Sequence, residues 1–412
     1  MIGLSAMIGA GVFGAFAPAA AAAGSGLLIG LAVAGVIAYC NASSSAALAA
    51  RYPRSGGSYL YGRERLGPWW GFTAGWGFVV GKTASCAAMA LTFGVYLSPE
   101  YARVFAVSAV LVFTAVNYFG VTRTAGVARV LLALTLVALL TVLVATFGGG
   151  GLDLGHLTEG GPWPETGVAG IAGIAQSAGL LFFAFAGYAR IATLGEEVRE
   201  PARTIPRAIP IALGIALLLY ALVGVALLAM LGPERLAVAE APLAEAVRAG
   251  NLGWLAPAAG IGAAVASLGA LLALITGIGR TALAMARERD LPGWLAGVHP
   301  KYQVPHRAES TLGLMICVLV LLFDLRGAIG FSSFGVLLYY AVANAAAYTL
   351  PKAERRMPRA LTVLGLVGCL LLAATLPTAS VLAGLVVFGI GLAGRALVLV
   401  QRHRAESSHK PT

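Results

Sequence analysis

The sequence predicts an all-α integral membrane protein with twelve transmembrane helices. Three observations support this. The 412 residues are 59% hydrophobic and only 11% charged, with a mean hydropathy of +0.87, whereas a soluble globular chain carries about 25% charged residues. The apolar residues gather in repeated runs of about 20, the length of a helix across the hydrocarbon core, rather than in the shorter alternating segments of a barrel. The basic residues are also distributed unevenly. With both termini inside, four of the 28 Lys and Arg fall outside (Arg103, Arg235, Arg248, Arg326), three lie within spans (Lys82, Arg280, Arg395), and 21 are counted to the inner side. That positive-inside bias sets the orientation and explains a net charge of +11 without nucleic acid.

Taken in order, the expected spans are 1–22, 27–50, 68–97, 104–120, 127–147, 168–189, 208–231, 254–285, 308–323, 328–350, 360–376 and 380–400. The first is broken by IGAGVF at 8–13, which places Gly9 and Gly11 inside an apolar run. The sixth ends in FFAFAGY at 182–188. Glycine in a helix interior costs about 1 kcal/mol relative to Ala, and in lipid the freed backbone groups find no water. Two such breaks in corresponding places of two halves point to a ligand site near the bilayer midplane. The run before Gly9 is eight residues, about 12 Å at 1.5 Å per residue against roughly 15 Å for half a hydrocarbon core. It also lacks basic residues, so the natural start is expected upstream of Met1.

Around Gly9, Ala10 and Gly11, unwound backbone would present N–H groups at the start of the outer half-helix, where the positive end of the dipole favours a carboxylate. Around Ala184 to Gly187, exposed carbonyls would accept hydrogen bonds from an ammonium, with Phe183 and Phe185 as walls. The competing structural reading is that Gly9 and Gly11 let helix backbones cross closely. The 54 glycines of the chain suit such packing in general.

Lys82 stands midway along the third span, where a Lys costs about 2.5–3.5 kcal/mol on insertion scales. The spans are read as holding no acidic partner for it. Ser85 and Gly75 are its small neighbours on the same face. It is read either as a snorkelling or structural Lys bonded to unwound carbonyls, or as a proton-coupling group or a contact for an anionic ligand. Cys40, Cys86, Cys317 and Cys369 all fall inside spans and form no CxxC pair, which marks them as small apolar side chains rather than a metal or disulfide set. The five histidines are placed in loops or the tail. With neither His nor acid expected in the spans, no metal site and no cofactor is predicted, and an intramembrane enzyme is disfavoured. Arg51, Arg54, Arg63 and Arg65 read as topogenic, and Tyr59, Tyr61, Trp69 and Trp70 as an interfacial aromatic belt. Pro201 and Pro206 are expected to prevent one long helix over 196–209, and that stretch has the plain reading of a solvated loop.

Several stretches together resemble the amino acid–polyamine–organocation permeases: IGAGVF, YPRSGGSYLYGRERLG at 52–67, FFAFAGY, EEVREPARTIPRAI at 196–209, and GRTALAMARERDLP at 279–292, in the family's order. The most specific is the run of Glu197, Pro201, Arg203, Pro206 and Arg207 after a broken helix. The resemblance implies a leucine-transporter-like fold in a single transmembrane domain, 1–401. Two inverted five-helix repeats would span about 1–148 and 166–350, followed by two added helices at about 360–401 and a cytoplasmic tail at 402–412. It implies a multi-pass plasma-membrane transporter for amino acids, working by alternating access with both termini cytoplasmic. Ile8, Gly9, Ala10 and Gly11 would hold the carboxylate, and Phe183, Ala184, Ala186 and Gly187 would hold the ammonium and shape the pocket. Lys82 is the coupling candidate and a proton the candidate coupling ion. Many family members place a coupling Lys in helix 5. Here that helix has Thr135 and Thr141 but no Lys, so the scheme does not transfer. A neutral amino acid is the expected substrate. A transport-dead binding sensor or partner subunit on the same scaffold is the rival reading.

Overall fold

The computed structural model describes residues 7–52, 56–120, 125–158, 168–188, 201–352, 354–355 and 357–408. Every regular element among them is helical. From residue 7 on, each apolar run expected to span falls on helix. The first contains α1 (Ala10–Gly14) and α2 (Phe16–Ala23), followed by α3 (Leu27–Arg51). A short α4 (Gly57–Leu66) precedes α5 (Pro68–Leu97), then α6 (Ala102–Tyr118) and α7 (Ala125–Gly148). The second half has α8 (Val168–Phe185), α9 (Pro201–Val238), α10 (Pro242–Ala249), α11 (Ala256–Arg287), α12 (His306–Leu322) and α13 (Leu325–Tyr348). The last two are α14 (Arg359–Thr375) and α15 (Thr378–Ser408).

By length and apolarity, seven of the described helices can cross a bilayer: 16–51, 68–97, 129–148, 207–238, 253–287, 325–348 and 378–400. Three shorter apolar helices cover 102–118, 170–185 and 359–375. The first span merges α2 and α3 across a one-turn 3-10 segment at Gly24–Gly26.

One continuous apolar cluster runs from Met7 to Phe388. At its centre stands α5, packed chiefly against α13 and α11. Outward, α15 leaves Leu382, Leu385, Val386 and Ile390 exposed, an apolar surface suited to lipid contact. Three buried polar side chains and a cysteine are linked across helices. Asn344 Nδ2 donates to Asn41 Oδ1 at 2.5 Å, Ser44 Oγ donates to Asn344 Oδ1 at 2.7 Å, and Asn41 Nδ2 reaches Cys369 Sγ at 3.2 Å. This network ties α3 to α13 and α14. All four cysteines are free and buried, as expected for small core side chains.

Several local expectations are corrected. The stretch from Pro201 is helical and continuous with α9, which contains Pro206 and Pro210 and is interrupted only at Gly232, whose φ of 70° is left-handed. A proline at the first helical position loses nothing, because that N–H has no intrahelical partner. Glu197 lies outside the described residues, as do Pro53, Arg54, Ser55 and Met1. Of the expected aromatic belt, Trp69 and Trp70 are exposed, but Tyr59 and Tyr61 are buried at 5% and 1%. Tyr59 OH donates to Asp290 Oδ2 at 2.9 Å. The spans are not free of acid either: Glu309 lies one turn inside α12 and is buried, and His306 opens the same helix.

A cluster of ion pairs fixes the α4 end of the bundle. Arg395 of α15 is buried and bonds Asp290 Oδ1 at 2.8 Å. Its guanidinium lies 4.7 Å from the Phe72 ring centre and 5.1 Å from that of Trp69. Arg63 of α4 reaches Asp290 at 3.3 Å and Glu288 at 2.9 Å. One carboxylate thus joins α4, the loop after α11, and α15.

Candidate functional site

The first break expected from the sequence is present, and α8 ends where the second is expected. Residues 8 and 9 are non-helical, with Gly9 extended (φ −120°, ψ −152°) as the N-cap of α1. After Phe185 the α-helix gives way to a 3-10 turn, Ala186–Tyr188. Ile8, Ala10, Phe183, Ala184 and Ala186 are buried, and Gly187 is half-buried.

The two breaks touch. A Cβ on Gly11 would stand 2.5 Å from Ala184 Cα and 2.8 Å from Ala184 Cβ. Glycine at 11 is therefore required by the close approach of α1 and α8. Gly9 is roomier: its nearest neighbour would be the Ala270 Cβ at 3.3 Å, across on α11.

Side-chain donors from two neighbouring helices fasten the freed carbonyls. Tyr220 of α9 is fully buried. Its hydroxyl lies 2.7 Å from Met7 O and 3.0 Å from Ala184 O, so its single proton is shared between one acceptor in each break. Its ring meets Phe185 edge-on at 5.1 Å. Lys82 of α5 donates to Ala186 O at 3.0 Å. Of the readings open to Lys82, the hydrogen bond to unwound carbonyls is what the structure contains, and among the described residues no carboxylate forms an ion pair with it. Its neighbour Ser85 bonds Ser332 of α13 at 2.6 Å. Gly75, further along that face, is hemmed in by Tyr59 and Met285. Thr135 and Thr141 of α7 donate to carbonyls of their own helix, so neither hydroxyl is directed to the breaks.

Above the first break, Tyr96 OH donates to Phe13 O at 3.0 Å and accepts from Leu243 N at 3.2 Å, which ties α10 down onto α1. On the α4 side a small cleft is lined by residues including Ser45, Gly57, Tyr59, Phe78, Thr281 and Tyr339.

Sequence reasoning missed Tyr220, Tyr96 and Asp290. The available signal was weak: a lone hydroxyl in a run of Leu and Ala, as at Tyr220, marks a polar group that must find a buried partner. Tyr220→Phe leaves Ala184 O without its donor. An unsatisfied buried acceptor costs about 1–3 kcal/mol, so the variant is expected to melt earlier by that amount in thermal unfolding. An unchanged melting curve would show that the shared proton does not hold the breaks.

Apolar helices long enough to cross a bilayer, one broken at Ile8 and Gly9 and another ending beside it in a 3-10 turn, with carbonyls there held by a Tyr and a Lys, mark a multi-pass membrane protein. Residues 1–396 match the family described as "Amino acid permease", and the chain belongs to that family, which makes it a transporter rather than an enzyme. An uncharacterized transporter of Mycobacterium tuberculosis is 59% identical over 408 residues, 99% of this chain and 91% of its own. Cationic amino acid transporter 7 of Arabidopsis thaliana is 30% identical, over 84% of this chain and 63% of its own. A branched-chain amino acid permease of Bacillus subtilis is 26% identical, over 87% of this chain and 81% of its own.

Proposed function

We propose that this chain is a secondary transporter of neutral amino acids, working by alternating access across the plasma membrane with both termini cytoplasmic. Its architecture would be twelve spans: two inverted five-helix repeats and two added helices. The observation that supports this best is the contact of the two breaks, Gly11 against Ala184, within bonding reach of Tyr220 and Lys82. In this reading the backbone from Ile8 through Gly11 receives the α-carboxylate, Phe183 to Gly187 receive the ammonium and shape the side-chain pocket, and Lys82 couples transport to protons. Import, export and exchange all fit the same site. Flux in proteoliposomes distinguishes transport from a binding-only sensor or partner subunit.

The preference for a neutral side chain rests on charge. A second cationic group needs a buried carboxylate, since burying an unpaired charge is costly. The buried Glu309 packs against Gly279. Gly279 is nine residues along α11 from Ala270, the neighbour of Gly9, or about 13 Å at 1.5 Å per residue. Unlabelled neutral amino acids are therefore expected to compete for uptake, and arginine and putrescine to compete poorly. The relative named for cationic amino acids gives the opposite expectation substance, and strong inhibition by arginine or putrescine alone would favour Glu309 as a partner and overturn the neutral assignment.

A further inference from the structure

One of the carbonyls assigned above to a substrate ammonium, that of Ala186, already holds an ammonium. Lys82 Nζ lies 3.0 Å from Ala186 O, the first carbonyl beyond α8, and the neighbouring Ala184 O is taken by Tyr220. The end of an 18-residue helix is where the negative end of the dipole favours a cation. That field and acceptor attract a Lys ammonium and an amino acid's ammonium alike. The titratable groups around Lys82 are the Cys86 thiol, one turn on along α5, and the Tyr220 phenol of α9 at the adjacent carbonyl. Among the described residues no carboxylate pairs with Lys82, so a second cation beside it would meet uncompensated repulsion in a buried site.

We propose that the Lys82 ammonium is a tethered stand-in for the substrate's ammonium: the two compete for the Ala186 carbonyl, so protonation of Lys82 and substrate binding exclude each other. The inference rests on the amino acid reading above and gives it a direction. A neutral Lys82 loses the charge-assisted part of its bond to Ala186 O, which is about half its strength, and gains a lone pair that accepts from the incoming ammonium. Substrate binding then releases a proton, and by linkage a proton releases substrate. Ligands that exclude each other from one site travel in opposite directions, so proton coupling through Lys82 is antiport. Symport would require the two to bind together.

The test is equilibrium binding of labelled neutral amino acids to the purified full chain in nanodiscs as pH is varied. Full exclusion makes Kd fall about tenfold per pH unit as pH rises through the range where Lys82 is charged. Lys82→Gln keeps a donor for Ala186 O without the titrating charge and is expected to bind independently of pH. In proteoliposomes, an acidic lumen is expected to drive accumulation. A wild-type Kd that is flat or tighter in acid, or accumulation driven by an acidic exterior, overturns the competition while leaving amino acid transport standing. Absence of binding by any amino acid at any pH overturns the transport reading itself.

Discussion

Gly11→Val is expected to abolish transport and to destabilise the protein. A Cβ at this position meets the backbone of Ala184 at 2.5 Å, and backbone cannot rotate away as a flexible side chain can. Overpacking of this kind typically costs about 1–3 kcal/mol. The strain falls on the contact that sets the distance between the two breaks, and a misplacement of about 1 Å in a functional constellation can lower rate by about 10²-fold. Uptake in a permease-deficient host at equal surface expression, with melting of the purified variant alongside, measures both effects. Gly9→Ala is the informative partner. Its Cβ would meet only the Ala270 methyl, at 3.3 Å, so it should melt close to wild type. Near-normal uptake by Gly11→Val would show that the breaks need not touch for the protein to work.

Asp290→Ala is expected to be the largest loss of stability among single substitutions at the α4 end. Asp290 compensates Arg395, whose side chain is 6% exposed, at 2.8 Å. Breaking a buried pair by removing one partner costs about 3–5 kcal/mol, because the remaining charge stays buried and uncompensated. The second ion pair of this carboxylate, with the 31% exposed Arg63, adds little, since exposed pairs contribute about 0–1 kcal/mol. The double variant Asp290→Ala with Arg395→Leu separates the terms. Removing the orphaned charge should restore most of the melting temperature. If the double variant melts as low as Asp290→Ala, the loss comes from Tyr59 and α4 rather than from the buried arginine.

Much of the bundle was legible because lipid leaves so little freedom. A run of 20 apolar residues must be helical to satisfy its backbone, so composition and run length place every long element. The two breaks were legible for the same reason, since Gly9, Gly11 and Gly187 stand where an apolar helix gains nothing from glycine. What the runs do not contain is pairing across the fold. Tyr59 and Trp69 look alike on an inner loop, yet Asp290 buries one and leaves the other as half of a platform for Arg395. Lys82 was conspicuous in the sequence, but its acceptor is a main-chain oxygen 104 positions away, and a carbonyl carries no residue identity. The prolines misled. Pro201 and Pro206 resemble helix breakers, but Pro201 opens α9, where its missing N–H has no intrahelical partner to lose, and Pro206 lies within the helix without ending it. Glu309 was overlooked because it sits at the edge of its span, and the packing of α11 against α12 covers it.

The most direct measurement is the flux of labelled neutral amino acids into proteoliposomes carrying the purified full chain. The touching breaks of α1 and α8 are read as the centre of an amino acid path. The account predicts saturable entry of at least one neutral amino acid, at least tenfold above protein-free vesicles, and loss of that entry in Gly11→Val. Saturable entry that survives in Gly11→Val would contradict the site, and no entry of any amino acid by the wild type would contradict transport itself.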